Sequence, residues 1–216
     1  MVNNSYCEFC DEFSGSGSNS FAARYGNDLK DRKVLETDNL TVVPSLGHFV
    51  KGYLLLIPKL HYCALGDMPS EIARELAEVQ RSLIRRLSPL YGRYTFFEHG
   101  ARTPGSGGCG IYHAHLHALP LDSEGVLRQL RDQFPHKRVG SLLDLKEATS
   151  GASYLYYEDP SAQSWLFFPT ALPSQYMRRL IAEEMGISGW DWRSSGREEA
   201  FLATRSEVAK LLSAGA

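Results

Sequence analysis

The sequence predicts an α+β domain built on an antiparallel sheet of about five strands with packed helices, followed by a C-terminal α/β extension. Three observations support this class: strands and helices are mixed along the chain, many β-like segments are short, and one long helix is strongly amphipathic. With 216 residues, 43% hydrophobic and 22% charged, the composition is that of an ordinary globular protein. We expect a first domain over 1–139 and an extension, 140–216, packed on the same domain.

The first half of the chain supplies short strands and the clearest helix. A glycine- and serine-rich loop, SGSGSNS at 14–20, precedes three β-like segments that end in turn residues or proline. These segments are KVLET at 33–37, LTVVP at 40–44 and GYLLLIP at 52–58.

Residues 68–92 form the predicted long helix. Glu71 and Glu75 favour its N-terminal dipole, and Gly92 follows as a stop. Apolar residues recur at spacings of three and four, which places them on one face that we interpret as core. They are Ile72, Leu76, Val79, Leu83, Leu87 and Leu90.

The second half alternates strands, loops and helices. YTFFEH at 94–99 predicts a strand, and the loop GARTPGSGGCG at 100–110 contains five glycines. YLYYED at 154–159 and SWLFFP at 164–169 predict two more strands. Helices are expected over 173–186 and 198–212, on either side of the aromatic turn GWDWR.

Charge and hydropathy exclude several classes of protein. Lys and Arg number 23 against 25 Asp and Glu, a net charge of −2, so we expect no nucleic-acid partner. No apolar run approaches the roughly 20 residues that span a bilayer, and the polar start MVNNSYCEFCDE is not a secretory signal. We therefore expect a cytoplasmic protein without a membrane partner.

The segment YHAHLHALP at 112–120 carries three of the seven histidines, two residues apart. On a strand, His113, His115 and His117 would share one face, roughly 6–7 Å apart, while the small residues between them pack on the other. A glycine-rich loop with free N–H groups precedes this row, which suits a phosphate oxygen. The pattern suggests either a nitrogen nucleophile that attacks phosphorus or three imidazoles on one catalytic zinc.

Four cysteines are present. Cys7 and Cys10 form a CxxC pair at the N-terminus, which in a cytoplasmic chain indicates metal or redox chemistry rather than a structural disulfide. We favour metal, because a redox CxxC is expected near a βαβ unit. Cys63 and Cys109 are interpreted as packing residues.

Together these segments resemble the histidine triad superfamily of nucleotidyl hydrolases and transferases. HAHLHAL matches its His-x-His-x-His signature, LLLIPKLH is similar to its strand ending in Pro-Lys-x-His, and CEFC is similar to its N-terminal CxxC. The loop in FFEHGARTPGSGGCG is similar to the branch that includes galactose-1-phosphate uridylyltransferase. The resemblance covers about residues 7–121, and the tail from GWDWR resembles extensions on bacterial members.

The resemblance implies that His115 attacks the α-phosphorus of a nucleotide and that water cleaves the resulting nucleotidyl-histidine. His117 would contact the same phosphate or the leaving group; histidine here is typical of the hydrolases, whereas the uridylyltransferase branch has glutamine. The backbone at Gly108, Cys109 and Gly110 would hold the phosphate oxygens. Many hydrolases carry serine where Gly110 stands, so only the N–H remains there.

The zinc-bearing branches imply a second site. Transferred by position, its ligands are Cys7, Cys10, His61 and His113, a closed tetrahedral set typical of structural zinc. Such a site would fasten the N-terminal segment to the sheet. His48 and His99 are rival candidates for the fourth ligand.

Two more positions are candidate substrate contacts. Ser45 falls where the family places a ribose-contacting Asp or Asn, although it is equally suited to a turn. Glu98 falls where relatives hold Asn or Gln near the phosphates, and a carboxylate there would repel phosphate unless it is turned away or bound to another group. We favour a solvated role for Arg102, and core packing rather than base stacking for Trp190 and Trp192.

The sequence therefore predicts a nucleotidyl hydrolase with a structural zinc, no redox cofactor and no catalytic metal, which forms a homodimer. Three alternatives stay open: a nucleotidyltransferase or phosphorylase on a dinucleoside polyphosphate or nucleotide sugar, a non-catalytic nucleotide-binding module, and a three-histidine catalytic zinc site. The base, the leaving group and the pathway are not indicated.

Overall fold

The computed structural model describes residues 7–15, 17–26, 29–102, 108, 110–194 and 196–213. Within these ranges, eight strands form one sheet in which each neighbouring pair runs antiparallel. The strands are β1 (Leu35–Glu36), β2 (Leu40–Pro44), β3 (Leu54–Pro58), β4 (Tyr94–Gly100), β5 (Leu116–Pro120), β6 (His136–Val139), β7 (Tyr154–Glu158) and β8 (Ser164–Phe167). Their order across the sheet is β1-β2-β3-β5-β4-β7-β8-β6.

The antiparallel α+β fold is confirmed, but the expected number of about five strands was wrong. β7 pairs with β4, and β8 and β6 follow, so the C-terminal half continues the same sheet. The physical reason is the free edge of β4, whose backbone N–H and C=O groups find their partners in β7. Because β6 lies in the expected first domain and pairs with β8 of the extension, the two parts share one sheet. The division at residue 139 stays a prediction.

Seven helices surround the sheet in the described ranges. They are α1 (Glu8–Ser14), α2 (Ser20–Tyr25), α3 (Ser70–Tyr91), α4 (Gly125–Gln133), α5 (Leu145–Thr149), α6 (Tyr176–Glu184) and α7 (Glu198–Ser213). The long predicted helix corresponds to α3, and its apolar stripe is buried except for Leu90, which is 54% exposed near the helix end. None of the helices in the described ranges combines the length and the apolarity that crossing a bilayer would need.

Each face of the sheet packs against its own helices. On one face, α3 and α7 cover a core that includes Leu56 and Leu116. On the other face, α1, α4 and α6 cover a core that includes Leu55, Phe97 and Leu119. Alternate residues of each strand therefore serve opposite cores, and the second face, between α1 and α6, is where the histidine row lies.

The histidine segment follows the predicted alternation. Ala114, Leu116 and Ala118 belong to the core under α3, so the histidines between them face the other side. The regular strand β5 begins only at Leu116, later than predicted. The ring centroids of His115 and His117 are 4.6 Å apart, and His115 itself lies in the irregular backbone before the strand.

Candidate functional site

Cys7, Cys10, His61 and His113 come together at one end of this face. One potential ligand atom from each residue lies within 4.8 Å of all the others. The Sγ atoms of Cys7 and Cys10 are 3.4 Å and 3.6 Å from Nδ1 of His113, and Sγ of Cys10 is 3.4 Å from Nδ1 of His61. We call these four residues the Cys₂His₂ cluster.

The hydrogen bonding of His113 leaves the correct nitrogen free for a metal. Its Nε2 is 2.8 Å from the carbonyl oxygen of Pro58. Because a carbonyl only accepts, Nε2 must carry the ring proton, and Nδ1 presents its lone pair to the cysteines. Burial also lowers the pKa of His113 to about 4, so the ring is neutral at physiological pH. A neutral imidazole held by a backbone carbonyl is the usual arrangement of a histidine metal ligand.

The spacing and the chemistry of the Cys₂His₂ cluster are compatible with zinc. Tetrahedral bonds of about 2.3 Å to sulfur and 2.0 Å to nitrogen place neighbouring S and N ligands about 3.5 Å apart, close to the observed separations. Burial, followed by the neighbouring Cys7, raises the pKa of the Cys10 thiol to about 12 in the protein alone. A thiolate at this position therefore calls for a cation to stabilise it.

Neither rival ligand is part of the Cys₂His₂ cluster. Both ring nitrogens of His48 are engaged elsewhere, Nδ1 at 3.1 Å from the carbonyl oxygen of Ser45 and Nε2 at 3.0 Å from Oγ1 of Thr204. His99 lines the neighbouring cavity instead.

His115 is anchored through the opposite ring nitrogen. Its Nδ1 lies 2.6 Å from the backbone carbonyl oxygen of His113 and must donate the proton, so Nε2 carries a lone pair. Burial lowers the pKa of His115 to about 4, which keeps that lone pair free at neutral pH. The ring of Phe9 packs edge-on against both His113 and His115, at centroid distances of 5.7 Å and 5.3 Å.

His117 is held between two aromatic rings. Its Nδ1 shares a hydrogen bond of 2.7 Å with the hydroxyl of Tyr53, and its ring stacks on Phe97 at 4.1 Å. Burial is the main cause that lowers its pKa well below the usual value. His117 therefore has a fixed orientation and, like His115, is a neutral ring.

A cavity opens to solvent beside these two histidines. Of the predicted substrate contacts, Ser45, Gly108, Gly110 and His117 line it together with His115. Cys109 lies outside the described residues. Sequence reasoning did not single out four further lining residues as site residues: Phe9, Glu12, Arg32 and Arg178. His99, a rival zinc ligand in the prediction, and Trp192, for which core packing was favoured over base stacking, line the cavity as well.

Glu98 is not among the residues around the cavity. It lies on β4 between Phe97 and His99, so its side chain points to the opposite face of the sheet. Its carboxylate accepts hydrogen bonds from the N–H of Leu65 and the hydroxyl of Tyr154, both at 2.6 Å. Burial raises its pKa to about 8. The carboxylate is thus turned away from the row of imidazoles, the arrangement that would avoid repelling a phosphate.

Arg102 also stays away from the cavity. Its guanidinium pairs with Asp67, and its Nη2 donates to the hydroxyl of Thr149 at 3.0 Å. Arg102, for which a solvated role was favoured, thus has acceptors from two neighbouring segments while its side chain stays partly exposed.

The C-terminal segment closes one wall of the cavity at the glycine-rich loop. Gly108 has a φ of +61°, and a Cβ there would lie 2.6 Å from Cβ of Leu172, so only glycine fits. Its carbonyl oxygen accepts a hydrogen bond of 2.8 Å from the N–H of Gln175. The side chain of Gln175 in turn accepts from the N–H of Trp192 at 3.1 Å. The extension therefore fixes the backbone that was predicted to hold phosphate.

Two buried arginines complete the lining. Arg32 forms an ion pair with Glu12 of α1, with both carboxylate oxygens at 2.7 Å, and is held by the carbonyl of Pro44. Arg178 on α6 donates to the hydroxyl of Ser45 at 3.0 Å. A sequence signal for Arg178 did exist, because it lies three residues before Ile181 at the edge of the apolar stripe of its helix, where a charge is unexpected.

Comparisons with known proteins agree with this description. No protein-family model matches the sequence. A curated protein from Bacillus subtilis, "Protein hit", is 23% identical over 109 residues, which is 49% of this chain and 72% of that protein. A solved structure of a hypothetical histidine triad nucleotide-binding protein from Sulfolobus tokodaii is similar over 96% of this chain and 93% of its own, with 14% identity and a TM-score of 0.50. A zinc-bound histidine triad family protein from Mycobacterium smegmatis is similar over 49% of this chain and 76% of its own, with 25% identity and a TM-score of 0.37.

The chain therefore has the fold of the histidine triad superfamily. The match to the Sulfolobus tokodaii structure extends over nearly the whole length of both chains, including the C-terminal strands and helices. The resemblance predicted from the histidine row and the CxxC pair is confirmed at this level.

Proposed function

We propose that this protein is a nucleotidyl hydrolase that transfers a nucleoside 5′-phosphate to His115 and then to water. The observation that carries the proposal is the orientation of His115, whose Nδ1 proton is bound to the carbonyl of His113 while Nε2 stands beside the cavity with a free lone pair. A fixed neutral imidazole is a competent nucleophile toward phosphorus. The nucleotide binding named for the Sulfolobus tokodaii protein agrees with this proposal.

The reaction takes place in two displacements. Nε2 of His115 attacks the phosphorus, a P–N bond forms, and the bond from phosphorus to the leaving group breaks. The hydrogen bond from Nδ1 to the His113 carbonyl stabilises the positive charge that develops on the ring. Water then attacks the same phosphorus, the P–N bond breaks, and the imidazole returns to its neutral state.

His117 stabilises the leaving group in this proposal. When the hydroxyl of Tyr53 donates to Nδ1, Nε2 of the neutral His117 ring carries the proton and donates a hydrogen bond to the departing group, on which negative charge develops. In the second step, the water that attacks phosphorus releases its proton to solvent. Gly108 and Gly110 lie at the cavity wall, where their N–H groups stabilise the charge on the phosphate oxygens.

We also propose that the Cys₂His₂ cluster binds a structural zinc ion. All four positions are taken by protein ligands, and such a closed set is typical of structural rather than catalytic zinc. Zinc supplies folding free energy here, because α1 otherwise buries only one residue, Phe9. Since Phe9 contacts both His113 and His115, a fastened α1 also keeps the nucleophile in place.

Rapid-quench trapping tests the proposed mechanism. The protein is mixed with a panel of nucleotide conjugates, then denatured and digested at alkaline pH, where a P–N bond to histidine survives, and the mass of the peptide containing His115 is measured. A nucleotidyl adduct on that peptide, absent from His115→Ala, is the expected result. A chase with water, phosphate or a sugar phosphate then separates a hydrolase from a phosphorylase or transferase. Tight binding with no adduct and no product would contradict catalysis and favour a nucleotide-binding module.

The homodimer, the cytoplasmic location and the assignment of 1–139 as the catalytic unit stay predictions.

A further inference from the structure

The two buried arginines of the cavity differ in how their charge is neutralised. Arg32 has a bidentate carboxylate partner in Glu12. Arg178 is just as buried, at 3% exposure, but its three hydrogen bonds go to neutral oxygens: the carbonyls of Trp190 and Gly47 and the hydroxyl of Ser45. In the described part of the chain, no carboxylate oxygen lies within 4.0 Å of the Arg178 guanidinium.

A buried cation without a carboxylate in contact is unusual, and Asp191 interacts with Arg178 only from beyond 4.0 Å. Taking a guanidinium out of water is costly unless an opposite charge compensates for the lost hydration. The rings of Phe49 and Tyr53 offset part of this cost, since the guanidinium carbon lies 5.1 Å and 5.2 Å from their centroids. With three of its five N–H donors used, Arg178 still has bonding capacity and a full positive charge beside the cavity.

Arg178 lies near His117, the histidine that we assign to the leaving group. Its guanidinium lies over the ring of Tyr53, and the hydroxyl of Tyr53 is hydrogen-bonded to His117. Arg178 and His117 thus both contact Tyr53, one at the ring and the other at the hydroxyl.

A second group with unused bonding capacity lies on the opposite flank of His117. Phe97 stacks on His117, and His99 packs edge-on against Phe97 at 5.9 Å. His99 lines the cavity and is 6% exposed, yet its Nε2 has no hydrogen-bond partner in the described ranges. Buried polar atoms without partners are rare in folded proteins and call for an explanation, such as a ligand.

The carboxylates of the cavity do not neutralise Arg178. Glu12 is occupied by Arg32. Glu8 accepts two hydrogen bonds from Ser20, from the N–H at 2.8 Å and from the hydroxyl at 2.9 Å, which direct its oxygens toward α2. Of the two buried arginines, only Arg178 is left for an incoming anion.

We propose that Arg178 forms a second anion subsite, which binds a phosphate in the leaving group next to the phosphate attacked by His115. This inference rests on the proposed function and narrows it to nucleotides whose leaving group is itself a phosphate, joined through a phosphoanhydride. His99 supplies a further polar contact to the same substrate. The C-terminal segment, by carrying Arg178 on α6, takes part in substrate selection.

Matched pairs of nucleotides test the subsite by calorimetry. Each nucleoside monophosphate is compared with its α,β-methylene diphosphate, which cannot be cleaved, for the four common bases, so that the contribution of the base cancels. The diphosphate should bind about tenfold more tightly than the monophosphate in the wild type, because its second phosphate makes a charge-assisted hydrogen bond to Arg178. In Arg178→Met, the two ligands of a pair should bind equally, and Arg178→Lys should retain part of the preference because it retains the charge.

The neighbouring Arg179 provides the control. Its side chain is 43% exposed and pairs only loosely with Glu183 at 3.8 Å, so Arg179→Met makes the same change of charge one residue away from the cavity. The diphosphate preference should be unchanged in this variant. If Arg178→Met does not fold, the ratio of diphosphate to monophosphate affinity in Arg178→Lys tests the subsite instead. An arginine with a purely structural role would change the affinity for both ligands of a pair equally.

The outcomes separate this inference from the proposed function. Equal affinity for the two members of a pair in the wild type, or an unchanged preference in the Arg178 variants, overturns the subsite and leaves the nucleotide function standing. A wild type that binds neither member of any pair overturns both.

Discussion

The Cys₂His₂ cluster and the cavity use two histidines that are only two residues apart in opposite ways. His113 donates a hydrogen bond from Nε2–H to the carbonyl of Pro58 and presents Nδ1 to two thiols. His115 donates a hydrogen bond from Nδ1–H to the carbonyl of His113 and presents Nε2 to the cavity. Both rings are buried, and burial lowers the pKa of both to about 4. The backbone acceptor, rather than the residue type, therefore selects which ring nitrogen is available to bind a metal or to attack phosphorus.

The two regions are also coupled through α1. Cys10 lies on this helix and belongs to the Cys₂His₂ cluster, whereas Phe9 and Glu12 of the same helix line the cavity. We therefore expect a substitution in the Cys₂His₂ cluster to disturb the cavity, whereas removal of the proposed nucleophile should leave the cluster intact.

The largest effect is expected for His115→Ala. Removal of the nucleophile should lower kcat/KM by at least about 10³-fold, since the remaining groups cannot form the covalent intermediate. The zinc content should be unchanged, because His113 keeps its contacts with Pro58 and the cysteines. Steady-state kinetics and elemental analysis check the two halves of this prediction. Loss of zinc in this variant would mean that the two regions are not independent in this direction.

Cys10→Ser should have the next largest effect, in the other region. Loss of one thiolate should remove most of the bound zinc and lower the free energy of unfolding by about 2–5 kcal/mol. Turnover should fall as well, because α1 carries Phe9 against His115. The measurements are metal content, denaturant unfolding and activity.

Cys63→Ser is the control for this variant, since Cys63 is a half-buried thiol outside the Cys₂His₂ cluster. It should retain zinc and most of the stability. If both variants lose stability equally while their metal content is the same, the cluster is not a metal site.

A smaller effect is expected at Glu98, on the face of the sheet away from both regions. Burial raises its folded pKa to about 8, well above the ordinary value of 4.5. Between these values the folded state binds more protons than the unfolded state, so stability falls as the pH rises through this window. Between pH 6.5 and pH 8 this contribution should fall by about 1.5 kcal/mol, measured as the difference between the wild type and Glu98→Gln, because the buried histidines contribute in the opposite direction near pH 6.5.

Glu98→Gln removes the titrating carboxyl and should therefore remove its downward contribution to the free energy of unfolding as the pH rises. Chemical unfolding at several pH values measures the slope, which a constant loss of stability in the variant does not affect. A variant with the same slope as the wild type would show that Glu98 does not hold its proton in the folded state.

The smallest effect is expected for His99→Leu, which contrasts a buried histidine in the cavity with one outside it. Because Nε2 of His99 has no partner in the described ranges, an apolar replacement should raise the free energy of unfolding by about 1 kcal/mol. Affinity for substrate should fall at the same time. His48→Leu is the counterpart, since both nitrogens of His48 are bonded, and it should lose about 2 kcal/mol. Destabilisation of both variants would place His99 among the structural histidines.

Much of the site could be predicted because its residues form local patterns. The CxxC pair and the histidine row were recognisable by spacing, whereas His61 and the ligand role of His113 came from the resemblance to the zinc-bearing branches, and the structure brings these four residues together. The alternation of Ala114 and Leu116 with the histidines also predicted which face they share. These features depend on the period of a strand and the geometry of a short helix, which neighbouring residues determine.

Other features depend on contacts between distant parts of the chain. Arg178 and Ser45 are 133 positions apart, and no local pattern relates them. The short pairing segments β6, β7 and β8 gave no indication that they continue the sheet beyond β4. Glu98 was placed near the phosphates by similarity to relatives, whereas its direction follows from the register of β4 against β5 and β7.

The sequence alone showed which residue types are available for metal binding and nucleophilic attack, and that His113, His115 and His117 share one face. Only the tertiary structure decided which ring nitrogen each histidine presents, that Glu98 turns away, and that a helix from the far end of the chain places a cation at the cavity. These two groups of features differ in the sequence distance over which they are determined. Backbone periodicity depends on a few neighbouring residues, whereas hydrogen-bond acceptors and unbalanced charges come from segments that are distant in sequence and close only in the folded protein.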